Sequence, residues 1–152
     1  MTTIAFHYPS QIICTDSFTT THDCIVTSHA KKYFDVEQGR VFVTGNCAEI
    51  YHLKKHWNDG EFKPITCEFF MVDKHKKIFF GEVRRGFKYL EPLEQNWAIG
   101  SGAKWAIAAM DFGKDAVDAL SYACTRDKST GGALQSFDVK DCALSKWERE
   151  SV

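Results

Sequence analysis

Residues 97–132 read WAIGSGAKWAIAAMDFGKDAVDALSYACTRDKSTGG, and this stretch decides the fold class. Trp97-Ala98-Ile99 is a short apolar run that breaks on Gly100-Ser101-Gly102, a loop signal. Beyond it, residues 103–112 are rich in alanine, the strongest helix former, and Gly113 stands where a C-cap glycine is expected. The spacing predicts a second helix over residues 114–126, with Val117, Leu120, Ala123 and Cys124 on one face. Thr130-Gly131-Gly132 ends the helical region, and residues 134–139 and 142–147 are predicted as closing strands. A strand followed by two consecutive helices departs from βαβ alternation and points to an α+β arrangement.

The chain before this stretch is mostly strand. Residues 3–8 (TIAFHY) and 11–15 (QIICT) flank Pro9-Ser10, a turn signal for a hairpin. Residues 23–27 (DCIVT) and 32–36 (KYFDV) are expected to form a second pair, and 40–44 (RVFVT) follows the turn at Gln38-Gly39. Residues 47–57 carry the only early helical pattern, with Ile50, Leu53 and Trp57 on one face and Asn58-Asp59-Gly60 as the stop. Residues 65–73 and 77–83 read as a hairpin joined through Lys74-His75-Lys76, followed by a short strand near 87–90 in a polar connector that contains Pro92. No repeat or low-complexity segment interrupts the chain, so a single domain over residues 1–152 is expected.

Composition narrows the class of function. At 152 residues and 44% hydrophobic content the chain can bury one substantial core. A net charge of −1 argues against a nucleic-acid binder that works by neutralising phosphates. No apolar run approaches the roughly 18 residues of a membrane span. The six cysteines show no metal-like spacing, and no secretory signal precedes them, so reduced structural thiols and a cytoplasmic location are expected. His52 and His56 lie four apart on the first helix, but no third ligand completes a zinc pattern, which favours a surface helix face. Cys47 as a nucleophile would need a base that the sequence does not identify, and Trp57, Trp97, Trp105 and Trp147 are most simply core or interface anchors.

Several segments, in order, resemble the proteasome β-subunit/HslV family of N-terminal-nucleophile hydrolases. Met1-Thr2-Thr3-Ile4 is similar to the family's mature Thr-Thr-Ile start behind an initiator methionine. Cys14-Thr15-Asp16-Ser17 resembles its small-small-Asp-Ser segment, and Ala30-Lys31-Lys32-Tyr33 the segment that carries its active-site lysine. The stretch from Ala98 through Gly100-Ser101-Gly102 to Asp127-Lys128-Ser129-Thr130-Gly131-Gly132 resembles the family's run from Gly-Ser-Gly to Asp-x-x-Thr-Gly-Gly.

The resemblance implies a four-layer αββα sandwich, two packed mainly antiparallel sheets flanked by helices. One short helix stands here where the family has two long ones, which implies a reduced first helical layer. It also implies a threonine-type peptidase, in which Thr2, freed by removal of Met1, is the nucleophile and its own α-amine the base. The amine's ordinary pKa of roughly 7.7–8.0 leaves part of it neutral near pH 7. By the same resemblance Lys32 lowers the pKa of the hydroxyl and amine, and Asp16 pairs with Lys32. The Gly45 N–H is the oxyanion donor, and Ser101, Asp127 and Thr130 support the amine. Thr20, Thr21, Lys31 and Asn46 are expected near the substrate. The resemblance implies no cofactor for catalysis and is compatible with a structural monovalent or divalent cation near the Thr130-Gly131-Gly132 loop. The expected partners are a peptide or polypeptide substrate, further copies in a homo-oligomeric ring, and an AAA+ unfoldase. A non-catalytic interaction protein that engages a protease or ATPase, and an amidohydrolase acting on a small amide, remain as alternatives.

Overall fold

A computed structural model of the chain describes residues 2–21 and 24–140. The closing strand expected at 142–147 lies outside the described residues. In chain order the elements are β1 (Thr3–His7), β2 (Ile12–Thr15), β3 (Thr19–Thr21), β4 (Cys24–Thr27), β5 (Tyr33–Val36) and β6 (Gly39–Thr44). They continue with α1 (Cys47–Lys55), β7 (Cys67–Asp73), β8 (Ile78–Arg84), β9 (Phe87–Pro92), β10 (Trp97–Gly100), α2 (Ala103–Asp111), α3 (Ala116–Arg126) and β11 (Gln135–Asp138). All the strand pairs are antiparallel. The molecule is therefore α+β, as the order of the segments implied. Among the described residues no helix is long and apolar enough to cross a membrane.

Two compact units divide the chain. Among the described residues, the first takes 2–21, 24–32 and 94–139. Its main sheet runs β10-β1-β2-β11, so β1 lies inside the sheet with a partner on each side. Helices α2 and α3 cover one face mainly through alanines: Ala106, Ala116, Ala119 and Ala123, with Met110 and Leu120, pack on Ala5, Cys14 and Ala98. Alanine at these positions lets helix backbones come close to the strands while still removing apolar surface from water. The buried stripe of α3 is Ala116, Ala119, Leu120 and Ala123, whereas Val117 is 38% exposed. Of the expected face, Leu120 and Ala123 are buried and Cys124 is half-buried, so Val117 alone falls outside it. Asp115, not Lys114, starts the helix, capping it by accepting a hydrogen bond from the Asp118 N–H.

The pairing expected between residues 23–27 and 32–36 does not form. Instead β4 pairs with β3, the Thr19–Thr21 run that the sequence reading left unassigned, and β5 pairs with β6. The segment after β4 is pinned to Ser17, whose carbonyl accepts the Ala30 N–H at 2.9 Å and whose hydroxyl lies 2.6 Å from the Ser28 carbonyl. That fastening leads the chain away from a tight turn, and β-branched threonines supply the strand partner.

The second unit, among the described residues 33–93 with Lys140, carries the five-stranded meander β5-β6-β7-β8-β9. Trp57, Leu53, Phe34, Phe62 and Phe69 form its core, with Ile50 packed at the margin. Helix α1 has nine residues and ends at Lys55, two short of the expected limit, with Trp57 buried just beyond it.

Candidate active site

The start of β1 is fastened from both neighbouring strands. Thr3 pairs with Gly100 of β10, and the Thr2 carbonyl accepts the Ser101 N–H at 3.0 Å. On the other side the Asp16 N–H donates to the Thr3 carbonyl at 3.2 Å. Gly100 has φ +97°, and a Cβ there would lie 1.7 Å from the Thr2 carbonyl oxygen. Only glycine permits that approach.

A buried charge lies beside Thr2. Asp16 is fully buried at the end of β2, and its two oxygens accept the N–H groups of Thr3 and Gly131, each at 3.2 Å. The Lys32 ammonium is 3.8 Å from Asp16 Oδ1 and donates to Thr2 Oγ1 at 2.7 Å; it also donates to the Phe18 carbonyl. Lys32 and Thr2 are 8% and 5% exposed. An ammonium this far from water needs its partners to stay charged, and these contacts supply a carboxylate and two acceptor oxygens. Burial raises the Asp16 pKa, against the pull of Lys32 and of the two backbone donors.

Around Asp127 two hydroxyls converge. Asp127 caps the C-terminus of α3, and its Oδ2 accepts Ser101 Oγ at 2.5 Å and Thr130 Oγ1 at 2.6 Å. Its Oδ1 accepts the Ser129 N–H at 3.1 Å. Thr130 Oγ1 is in turn 2.7 Å from Thr3 Oγ1. Burial works to raise the Asp127 pKa, but the donated hydrogen bonds from Ser101, Thr130 and Ser129 outweigh it and hold the carboxyl below its ordinary range.

Thr2, Asp16, Lys32, Ser101, Asp127 and Thr130 thus gather in the first unit, around the beginning of one strand. Thr20 and Thr21 lie on β3 of the same unit, and Lys31 is exposed just before Lys32. Gly45 and Asn46 belong to the second unit. Gly45 follows β6 with φ +144°, and the Asn46 side chain caps α1 by accepting the Glu49 N–H at 2.8 Å. The Phe18 carbonyl, the Gly131 N–H and the Thr3 hydroxyl are contributors that sequence reading missed. Only Thr3 carries a signal, a second hydroxyl residue in sequence beside the first. His52 and His56 stack with ring centroids 4.5 Å apart, and His56 Nδ1 is 2.6 Å from Asp59 Oδ2. Among the described residues, no three His, Cys, Asp or Glu side chains come together as metal ligands.

No family model matches the sequence, and no curated protein matches it. Solved structures do match. BPH of Thiobacillus denitrificans is 17% identical with a TM-score of 0.63, over 90% of this chain and 96% of that one. The same protein in complex with epoxomicin gives 15% identity and a TM-score of 0.62, over 89% and 96%. Eukaryotic HslV from Trypanosoma brucei gives 16% and 0.63, over 89% and 97%. At these identities the likeness is one of fold: the chain has an HslV-like N-terminal-nucleophile hydrolase fold, spanning nearly the whole of each structure.

Proposed function

We propose that the chain is a threonine-type peptidase that hydrolyses peptide bonds with Thr2 once Met1 has been removed. The contact that carries this reading is the Lys32 ammonium 2.7 Å from Thr2 Oγ1, between two buried residues. A hydroxyl is a weak nucleophile at neutral pH, and a positive charge at hydrogen-bond distance stabilises the alkoxide character it must develop. In the step that follows, Thr2 Oγ1 bonds to the scissile carbonyl carbon, and its proton passes to the α-amine of Thr2. The amine then returns that proton to the departing nitrogen as the C–N bond breaks, leaving an ester on Thr2. Water attacks the ester by the same relay and frees the hydroxyl.

Ser101, Asp127 and Thr130 serve the amine in this reading. The Asp127 carboxylate takes the single hydrogen of each hydroxyl, so their lone pairs are left to accept from an ammonium. Gly45 has the oxyanion role through the resemblance alone. A homo-oligomer working in the cytoplasm, with an AAA+ unfoldase as the partner class, is proposed on the same basis.

Epoxomicin, bound by the structurally similar BPH, supplies the probe. Intact mass spectrometry before and after an epoxyketone peptide should show Met1 absent and one adduct, mapping to Thr2. Thr2→Ala should abolish both the adduct and the hydrolysis of short fluorogenic peptides. Turnover unchanged in Thr2→Ala would overturn the proposal.

A further inference from the structure

Every polar group that Thr3 owns is engaged. Its N–H donates to Asp16 Oδ1 at 3.2 Å and its carbonyl accepts the Asp16 N–H at 3.2 Å. Its hydroxyl oxygen accepts the Gly102 N–H at 2.8 Å and lies 2.7 Å from Thr130 Oγ1. The residue is fully buried. One residue therefore touches both acidic centres, Asp16 through its backbone and Asp127 through one intervening hydroxyl.

Counting hydrogens fixes the direction of the last contact. Thr130 has a single hydroxyl hydrogen, and an ionised carboxylate 2.6 Å away can only accept it. Thr130 Oγ1 is then left as an acceptor towards Thr3, so the Thr3 hydrogen must point at Thr130. The order runs one way, from the Gly102 N–H through Thr3 and Thr130 to Asp127, where Ser101 arrives from the other side. Gly102 belongs to this arrangement: a Cβ there would lie 2.6 Å from Thr3 Oγ1 and 3.2 Å from Thr130 Oγ1.

We propose that Thr3 is a positioning residue of the site, whose hydroxyl links the Gly102 N–H to the hydrogen-bond chain ending on Asp127 and holds the strand end that presents Thr2. The inference rests on the reading of Thr2 as nucleophile. A buried threonine that merely fills a strand would tolerate valine, which has nearly the same shape. A positioning threonine does not, because valine leaves the Gly102 N–H without an acceptor and Thr130 without a donor. The bond from Thr130 to Asp127 also loses the polarisation that Thr3 lends it.

The experiment compares wild type with Thr3→Ser and Thr3→Val, using a short fluorogenic peptide and the rate of epoxyketone adduct formation across pH. Thr3→Ser should stay within about threefold of wild type. Thr3→Val should lose about tenfold or more in kcat, as expected when a reacting group is slightly misplaced, with KM nearly unchanged. Its acid limb should move to higher pH, because a weaker hydrogen bond to Asp127 favours the carboxylate less. Should the valine variant not fold, Thr3→Ser and Thr3→Ala differ by the hydroxyl alone and give the same comparison. A valine variant with wild-type kcat and pH profile, or a serine variant as impaired as the valine or alanine one, would overturn the role of Thr3 and leave the nucleophile standing. A wild-type protein that forms no adduct and cleaves nothing would remove both.

Discussion

Cysteine behaves in this chain as a small apolar side chain wherever it is packed. Cys14 lies among the alanines of the first unit's core and Cys67 among the aromatic residues of the second. Burial pushes both thiols up to about 12. At neutral pH almost none of either is thiolate, the form that reacts with an alkylating agent. Cys24 and Cys47 are exposed. Brief iodoacetamide treatment of the native protein should therefore modify Cys24 and Cys47 and leave Cys14 and Cys67 intact. Adding urea should release the protected pair with the unfolding transition. Peptide mapping reads the result, and early modification of Cys14 would mean that the α2–α3 layer opens on its own.

The strand ends decide where the site stands, and Gly100 in β10 tests this directly. A Cβ at that position would meet the Thr2 carbonyl oxygen at 1.7 Å, and the backbone is in the left-handed region. Backbone on backbone offers no side chain to move aside, so Gly100→Ala should cost more than about 2 kcal/mol of stability. It should also slow adduct formation at Thr2. Gly60→Ala is the control, since nothing lies within 4 Å of its Cβ and its φ is unremarkable; it should stay within about 0.5 kcal/mol. Urea midpoints for the two variants give the comparison. This dependence was half legible in the sequence. Gly100-Ser101-Gly102 reads as a loop after an apolar run, but which glycine is pressed against which carbonyl is a matter of strand register. The elements themselves were read where periodicity was strong, in α2, α3 and the β7–β8 hairpin. Reading failed where tertiary contacts override local pattern. Thr19–Thr21 became a strand because β4 lies beside it, and Val117 was put on the buried α3 face in place of Ala116 and Ala119 because alanine signals burial more weakly than valine. Asp16 and Lys32 were found through the two segments that resemble the family's, Cys14-Thr15-Asp16-Ser17 and Ala30-Lys31-Lys32-Tyr33, whereas the Phe18 carbonyl and Gly131 N–H are backbone groups that no side-chain pattern can announce.

Stability against pH sums over the whole molecule, and two carboxyls of the site enter that sum with opposite signs. The Asp16 pKa is raised by burial, and the neighbouring Lys32 and backbone donors only reduce the effect. A carboxyl that holds its proton more tightly when folded contributes stability that is fully present below its unfolded pKa. The contribution is lost as pH rises through the folded value. For Asp127, burial is outweighed by hydrogen bonds from Ser101, Thr130 and Ser129, and the pKa is lowered. Its contribution is present above the unfolded pKa and lost as pH falls through the folded one. Urea unfolding of wild type, Asp16→Asn and Asp127→Asn from about pH 3 to 7 separates the two. Wild type minus Asp16→Asn should decline as pH rises above the ordinary carboxylate range, because only wild type must keep a buried carboxylate charged. Wild type minus Asp127→Asn should climb with pH below that range and then level off. Two difference curves of the same slope would mean that Asp16 is held ionised as firmly as Asp127. Lys32 and the two backbone donors would then outweigh burial, and the proposed site would carry its full pair of charges well into acid.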